Sequence, residues 1–334
     1  MSNVEADPVE QAVCSATAAV ATEPGCELLR PREVPLGGPQ AMRVRRVLPN
    51  RDRRMVGAWC FADSYGPAEI ADRPGMQVPP HPHTGLQTVS WLVAGEVLHQ
   101  DSLGRRELIH PGQLPLMTAG AGIAHSEQSP QEHSPVLHGA QLWVALPEHA
   151  RAMAPAFELH TDLPRHQSRQ GSITVIAGEL DGAVSPASAH TPLVGAAVSL
   201  APGGQLAVPL TADFEHGVLA LSAEITVEGQ PVGAGEMVYL GRGRSQVSLS
   251  APASAYALLL GGAPFAEDLV MWWNFVGRSH DDIVDARTTW EREHDTDTPH
   301  RRFGPVVDYS GPALPAPPLP NARLKPRGRY NPHH

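Results

Sequence analysis

Short apolar runs separated by turn residues fill most of the chain between about residue 29 and residue 265. Typical runs are "TVSWLVAGEVLHQ" and "QLPLMTAGAGIAH" in the first half and "SITVIAGEL" and "SAYALLLGG" in the second. Each run has the length of a strand, and glycine and proline supply the reversals because glycine permits positive φ and proline fixes φ at a turn. This regular spacing favours an all-β sandwich or closed barrel over alternating strands and helices.

The strand pattern occurs twice along the chain. "VAGEVLHQDSLGRRELIHPGQL" and "LSAEITVEGQPVGAGEMVYL" both run strand, turn, strand, glycine-containing turn and strand. Such self-similarity indicates a duplicated β-domain. We therefore predict one β-domain over residues 29–152 and a second over residues 153–293.

A short helix is predicted at the end of the second domain. Ser279 and Asp282 fit a capping box, in which the two side chains satisfy backbone N–H groups of the first turn. Ile283, Ala286 and Trp290, at spacings i, i+3 and i+7, form an apolar stripe. The helix should run to about residue 293.

Neither end of the chain shows this periodicity. Residues 1–28 carry no sustained apolar pattern and are predicted to form a mobile tail. Residues 294–334 are proline-rich and then basic, a composition typical of polyproline II or disorder. Because such a segment lacks the residues to build a core, residues 311–334 are expected to be dispensable for the fold. A PxxP-type ligand role is the alternative.

Composition excludes several classes of protein. Hydrophobic residues are 42% and charged residues 18%, as in globular rather than disordered chains. A formal charge of −10, without a basic run in the body, argues against direct nucleic-acid binding. No apolar run approaches the ~20 residues that span a bilayer, and the acidic start is unlike a signal peptide, so we expect a cytoplasmic protein with no membrane contact. Three scattered cysteines imply no disulfide framework.

Two histidine motifs carry the candidate chemistry. The chain reads "HPHTGLQ" at residues 81–87 and "HSE" at residues 125–127. Side chains two apart on a strand project to one face, so His81 with His83, and His125 with Glu127, can converge if the two segments are neighbours. Three imidazoles and a carboxylate suit Fe(II), Mn(II), Ni(II) or Zn(II) and leave positions open for other ligands. The alternative to a metal site is that the two motifs are unrelated polar segments in a chain with 17 histidines.

The order of these motifs resembles the pirin family, two-domain members of the cupin superfamily. The resemblance rests on "HPHTGLQTVSWLVAGEVLHQDSLG", "PGQLPLMTAGAGIAHSEQ", "LHGAQLWVALP" and "LLLGGAPFAEDLVMWWNFV", and covers roughly residues 40–290. It implies two stacked cupin-type β-barrels with a short C-terminal helix. It also implies iron or a similar divalent metal in the first barrel, with ligands at His81, His83, His125 and Glu127, and a second barrel without metal.

The first motif departs from the family's usual HPHRGFET. This chain has Thr84, Leu86 and Gln87 where the family has arginine, phenylalanine and glutamate. The glutamate is not generally a metal ligand in pirins, so metal binding should survive. We expect the change to remove a carboxylate near the metal, which would leave Glu127 as the base and slow any reaction that needs one.

Other candidates are weaker. His99 and His110 are interpreted as exposed or hydrogen-bonded histidines, and His138 and Gln141 as residues that could face the barrel mouth. Met117 is predicted to lie in the core. Trp272 and Trp273 are predicted to pack between the helix and the second barrel, since large aromatics dominate core burial.

The resemblance implies two functions of different classes. One is an iron-dependent dioxygenase of the quercetin 2,3-dioxygenase type, acting on a flavonol with Glu127 as catalytic base. The other is a non-enzymatic, metal- or redox-dependent regulatory protein that acts through a protein partner. A fold hosts many reactions, so the substrate is not predicted.

Overall fold

The computed structural model describes residues 25–36, 42–294 and 301–329. The part of the predicted N-terminal tail before residue 25 lies outside the described residues. Within the described ranges the protein consists of 25 β-strands and one α-helix, which confirms the all-β prediction. No helix in these ranges is long and apolar enough to cross a bilayer.

The first twelve strands are β1 (Glu27–Leu29), β2 (Arg32–Leu36), β3 (Met42–Leu48), β4 (Trp59–Glu69), β5 (Gln77–His83), β6 (Leu86–Ala94), β7 (Val97–Asp101), β8 (Arg106–Ile109), β9 (Leu114–Thr118), β10 (Ile123–Gln128), β11 (Val136–Ala145) and β12 (Ala156–His160). The remaining elements are β13 (Arg165–Ser168), β14 (Gly171–Leu180), β15 (Ala183–Val184), β16 (Leu193–Leu200), β17 (Gln205–Pro209), β18 (Glu215–Ala220), β19 (Ile225–Val227), β20 (Gln230–Val232), β21 (Met237–Gly241), β22 (Gln246–Ser250), β23 (Ala255–Gly262), β24 (Val270–Trp272), β25 (Phe275–Gly277) and α1 (His280–Glu293).

The first barrel is formed by two antiparallel sheets. A seven-stranded sheet in the order β12-β9-β6-β11-β4-β3-β2 lies against a four-stranded sheet in the order β5-β10-β7-β8. Side chains of the two sheets meet inside, as where Trp143 of β11 contacts His83 of β5. The predicted core residue Met117 is 1% exposed, which confirms its place inside the molecule.

The second barrel repeats this arrangement. Its large sheet runs β1-β21-β18-β23-β16-β14-β13, with β15 on the side of β14, and its smaller sheet runs β17-β22-β19-β20. Valine, leucine and isoleucine side chains of both sheets form its core. A shared apolar cluster joins the barrels, and the Trp59 Nε1–H of the first donates to the Val194 carbonyl of the second at 3.1 Å. The two-barrel prediction is therefore confirmed.

The barrels exchange edge strands, which the predicted boundaries missed. β1 precedes the first barrel but pairs with β21 in the second, with Glu27 opposite Tyr239. β12 follows the predicted boundary at residue 152 but pairs with β9 in the first barrel. Both pairings join residues far apart in the chain, and short-range patterning carries no signal for them.

The helix forms where the sequence predicts it. Ser279 is the N-cap, and its side chain accepts from Asp282 N while the Asp282 side chain accepts from the backbone of Ser279, completing the capping box. Ile283, Ala286 and Trp290 are buried. The stripe therefore packs the helix onto the body of the protein.

Trp272 and Trp273 do not lie between the helix and the second barrel as predicted. They belong to a buried cluster with the helix, Phe303 of the C-terminal segment and Ala124 of the first barrel. The hairpin of β24 and β25 carries them there, because Val276 N donates to the Thr84 carbonyl at 3.1 Å. The hairpin is thus tied to the first barrel directly after the histidine motif.

Residues 301–329 are structured against the body, contrary to the expectation of a dispensable tail. Leu314 N donates to the Pro80 carbonyl at 2.8 Å, beside the first histidine motif. Trp290 Nε1–H donates to the Leu314 carbonyl at 2.8 Å, and Leu324 is 4% exposed. Proline-rich chain cannot build a core of its own, but here it covers a core that the barrel and helix supply.

Candidate metal centre

Three imidazoles converge inside the first barrel. His81 and His83 lie on β5, and His125 lies opposite His81 on the adjacent strand β10. One ring nitrogen from each of the three residues lies within 4.8 Å of the others, and all three side chains are fully buried. The structure therefore brings together the three histidines that the two sequence motifs single out.

Hydrogen bonds fix the tautomers of the first two rings. His81 Nδ1 lies 2.8 Å from the Pro79 carbonyl, and His83 Nδ1 lies 3.2 Å from the Asn274 carbonyl. A carbonyl only accepts, so each Nδ1 carries the proton and each Nε2 carries a lone pair. Asn274 belongs to the turn between β24 and β25, so the hairpin orients a residue of the candidate site.

A two-residue relay fixes the tautomer of the third ring. Asp101 Oδ2 lies 3.2 Å from His99 Nε2, and His99 Nδ1 lies 3.4 Å from His125 Nδ1. The carboxylate can only accept, so His99 Nε2 donates to it and His99 Nδ1 is left as an acceptor. His125 Nδ1 therefore donates to His99, and His125 Nε2 also carries a lone pair.

The three inward lone pairs fit a divalent metal. His83 Nε2 and His125 Nε2 lie 3.1 Å apart, and His81 Nε2 is buried with no hydrogen-bond partner among the residues that the structure describes. Burial lowers the pKa of His81 to about 3, and burial with its neighbouring imidazoles lowers the pKa of His83 and His125 well below the ordinary value. Three neutral imidazoles with converging Nε2 atoms are the usual donors to a transition metal.

Glu127, the fourth predicted ligand, lies on the same strand as His125 but outside the three-histidine group. A shift in register between His125 and Glu127 changes the pairing of β10 with β5. Ser90 Oγ lies 3.1 Å from Glu127 Oε1 and 2.6 Å from Gln141 Oε1, so the hydroxyl of β6 contacts both acceptors. The ligand role of Glu127 stays a prediction.

A small cavity of about 10 Å³ borders this carboxylate, with Tyr65, Ser90, His99 and Glu127 among the residues that line it. Burial and the charge of Glu127 raise the pKa of the Tyr65 hydroxyl above its ordinary value. Tyr65 therefore stays neutral, and its hydroxyl can donate a hydrogen bond inside the barrel.

Some of the weaker candidates lie near the histidine cluster and others lie elsewhere. His99 is hydrogen-bonded, as interpreted, and His110 is exposed. Gln141 faces the barrel interior, whereas His138 Nε2 donates to the Leu221 carbonyl of the second barrel at 3.2 Å. Asp101 was missed, although "HQD" at residues 99–101 has the same two-residue spacing as the ligand motifs and places both side chains on one face.

Gln87 does not border the metal site, contrary to the expectation from the family motif. Its Nε2 donates to Thr118 Oγ1 at 2.9 Å and to the Ser188 carbonyl of the second barrel at 3.2 Å. Gln87 and Ser90 are three residues apart on one strand, so their side chains point to opposite faces. Gln87 therefore contributes to the junction between the barrels.

Comparisons with known proteins agree with this architecture. Residues 41–144 match the Pirin family and residues 195–295 match the Pirin C-terminal cupin domain. The chain is 46% identical over 290 residues to a Pseudomonas aeruginosa protein provisionally named a quercetin 2,3-dioxygenase, covering 86% of this chain and 89% of that one. It is 30% identical to human pirin over 73% of this chain and 84% of that one.

A solved structure has a similar fold. The crystal structure of quercetin 2,3-dioxygenase from Acinetobacter baumannii has a TM-score of 0.83 and 40% identity, covering 90% of this chain and 97% of that one. Family match, sequence identity and fold agree over both barrels, and the chain belongs to the pirin family.

Proposed function

We propose that the protein is a metal-dependent dioxygenase of the quercetin 2,3-dioxygenase type, with Fe(II) held by His81, His83, His125 and Glu127. The observation that carries the metal assignment is the convergence of three Nε2 lone pairs on one buried point. The names of the Pseudomonas and Acinetobacter relatives support the reaction class. A flavonol is the proposed substrate class.

The histidines of the site are held ready to bind the metal. A divalent metal bound there supplies Lewis acidity toward an oxygen of the substrate. The Nδ1–H bonds to Pro79, Asn274 and His99 hold the three imidazoles in the ligating tautomer before any ligand arrives. This preformed arrangement lowers the cost of orienting the ligands when the metal binds.

Glu127 is the proposed proton acceptor. The Ser90 hydroxyl contacts Glu127 Oε1 and limits rotation of the carboxylate. In this buried position the carboxylate can take the proton of a substrate hydroxyl, a contribution that is typically worth ~10²- to 10⁴-fold in rate. Tyr65 borders the same cavity and, as a neutral donor, can stabilise the negative charge on the carboxylate.

Anaerobic purification followed by metal analysis tests the ligand assignment. We expect about one equivalent of metal in the wild type and under about a tenth of an equivalent in His81→Ala, His83→Ala or His125→Ala, since losing one of few ligands weakens binding strongly. His110→Ala is the matched control, because His110 is an exposed histidine of the same barrel. A full equivalent of metal in any of the three variants contradicts the assignment.

Oxygen uptake with a panel of flavonols tests the reaction. We expect uptake by the iron-loaded wild type and none by the metal-free variants. If the iron-loaded protein consumes no oxygen with any flavonol, the dioxygenase proposal is wrong and the regulatory role through a protein partner takes its place.

A further inference from the structure

Strand β5, which carries His81 and His83, has few backbone donors with which to hold its place. It is the last strand of its sheet and pairs there only with β10. Prolines occupy three of the four positions 79–82, and proline lacks the N–H that a strand ladder uses. The register also shifts here, opposite His125 and Glu127 of β10. The strand that carries two of the proposed ligands is therefore held loosely by its own sheet.

Residues 302–316, which we call the C-terminal clamp, supply a partner to this strand. Leu314 N donates to the Pro80 carbonyl at 2.8 Å, and the buried Pro80 directly precedes His81. The neighbouring Pro79 carbonyl lies 2.8 Å from His81 Nδ1 and accepts its proton. A buried carbonyl needs a donor, and the two carbonyls at the register shift take theirs from His81 and from the clamp.

The clamp also reaches the strand that carries His125. The Phe303 carbonyl accepts from Ala124 N at 3.1 Å, and Ala124 directly precedes His125. Ala124 N also lies 3.2 Å from Ser102 Oγ, so the clamp and a turn of the first barrel share this donor. On both ligand-bearing strands, the clamp is thus bonded one residue before a proposed metal ligand.

Helix α1 fixes the clamp from its other side. Trp290 Nε1–H donates to the Leu314 carbonyl at 2.8 Å, and Ala316 N donates to Glu291 Oε1 at 2.7 Å. The Leu314 side chain packs against an apolar cluster of the first barrel and against the cluster that contains the helix. Leu314 therefore connects the helix to Pro80 through its own backbone.

We propose that Leu314 is a positioning residue of the metal centre, which acts through the Pro80 carbonyl on the orientation of His81. The inference rests on the proposed metal ligands. Release of the Leu314 N–H leaves the register shift free to move, and His81 then loses its fixed direction. Once His81, His83 and His125 share a metal ion, β5 is fixed against β10 and the Pro80 carbonyl stays in place. Because coupling is reciprocal, metal binding and docking of the clamp strengthen each other by the same factor.

Hydrogen–deuterium exchange of the wild-type protein, with and without Ni(II), tests the coupling. We expect Ni(II) to slow exchange of the Leu314 amide by about tenfold, at the lower end of what partners that orient ligating histidines are worth. The Arg327 amide of the same C-terminal segment donates to the Leu269 carbonyl at 2.8 Å and is the internal control. Its exchange should not change. Equal slowing at both amides would mean that the metal stabilises the whole protein, and would overturn the proposal.

Two substitutions at residue 314 separate the hydrogen bond from the packing. Leu314→Pro removes the N–H, and the extended backbone of a residue that precedes Pro315 in a proline-rich segment suits proline. Leu314→Ala keeps the N–H and removes most of the side chain. In competitive titrations against a chelating dye, we expect Leu314→Pro to bind Ni(II) about tenfold more weakly than Leu314→Ala.

Two further results would overturn the proposal. Ni(II) binding to the wild type without slower exchange at Leu314 would show that the clamp only covers the barrel. Equal Ni(II) affinity of Leu314→Pro and Leu314→Ala would show that the N–H has no positioning role. The exchange measurement needs no variant, so it decides the question even if Leu314→Pro fails to fold. A wild type that binds no Ni(II) would instead contradict the proposed metal centre, and this inference with it.

Discussion

Replacing Asp101 with asparagine should weaken metal binding although Asp101 is not a ligand. Asp101 Oδ1 accepts from Leu103 N at 2.9 Å and Arg105 N at 3.0 Å, and an asparagine oxygen can keep both bonds. The asparagine NH₂ then faces the N–H of His99 Nε2, and two donors cannot form a hydrogen bond with each other. The proton of His99 must move to Nδ1, which forces the proton of His125 onto its Nε2, the atom that faces the other imidazoles.

The expected cost follows from that proton. Partners that orient a ligating histidine are typically worth 10- to 100-fold in metal affinity, or about 1.4 to 2.7 kcal/mol. Competitive titration of metal-free Asp101→Asn with Ni(II) against a chelating dye measures it. Asp72→Asn, the same chemical change at an exposed position of the first barrel, should bind as the wild type does.

A double-mutant cycle separates this effect from a general weakening of the turn. His99→Phe keeps a ring on Phe157, which stacks on His99 with centroids 4.5 Å apart, but removes the acceptor for His125. If Asp101 acts through His99, the double variant should be no weaker than the weaker single variant. Additive losses of metal affinity in the double variant would refute the relay. So would a folded Asp101→Asn protein that binds metal within about twofold of the wild type.

Three further outcomes are expected. Removing residues 311–334 should lower the free energy of unfolding by at least about 3 kcal/mol in urea titrations, because it uncovers apolar groups that buried side chains such as Leu324 now cover; removing only residues 330–334 is the control. Burial lowers the pKa of His216 to about 4, so the unfolded chain takes up this proton first as the pH falls below 6.5. The stability that neutral His216 contributes is complete above pH 6.5 and is lost as the pH falls to 4, by about 2 to 3 kcal/mol. In His216→Gln the free energy of unfolding should therefore fall less steeply between pH 6.5 and pH 4. Gln87→Glu should leave metal content unchanged and cost about 1 to 3 kcal/mol, since it sets a carboxylate against the Ser188 carbonyl; a faster oxygen uptake in this variant would contradict the placement of Gln87.

Local patterning was sufficient for the elements and for the histidine cluster. Strand alternation fixes which side chains share a face, so His81 and His83 could be placed together before the fold was known. Capping chemistry depends on neighbours within one turn, and Ser279 and Asp282 form the bonds that their spacing predicts. In both cases the cause and the consequence lie within a few residues.

The errors arise where distant chain segments decide the outcome. Gln87 was expected at the metal from its place in a motif, but the phase of β6 turns it toward the second barrel. The order of residues 301–329 depends on acceptors such as the Pro80 carbonyl, more than 200 positions earlier in the chain. Asp101 reaches His125 through its hydrogen bond to His99, whose ring contacts His125. The shared face of His99 and Asp101 follows from their two-residue spacing, but the other partners cannot be read from local periodicity.

The strand exchange between the barrels sets an order of assembly during synthesis. β12, which completes the sheet of the first barrel, leaves the ribosome directly after that barrel's other strands. β1 is made first, but its partner β21 follows on the order of 200 residues later, which at roughly 5 to 20 residues per second is about 10 to 40 seconds of translation. The first barrel can therefore close around its histidines before β1 has a partner, so the first strand to be made is among the last to join its sheet.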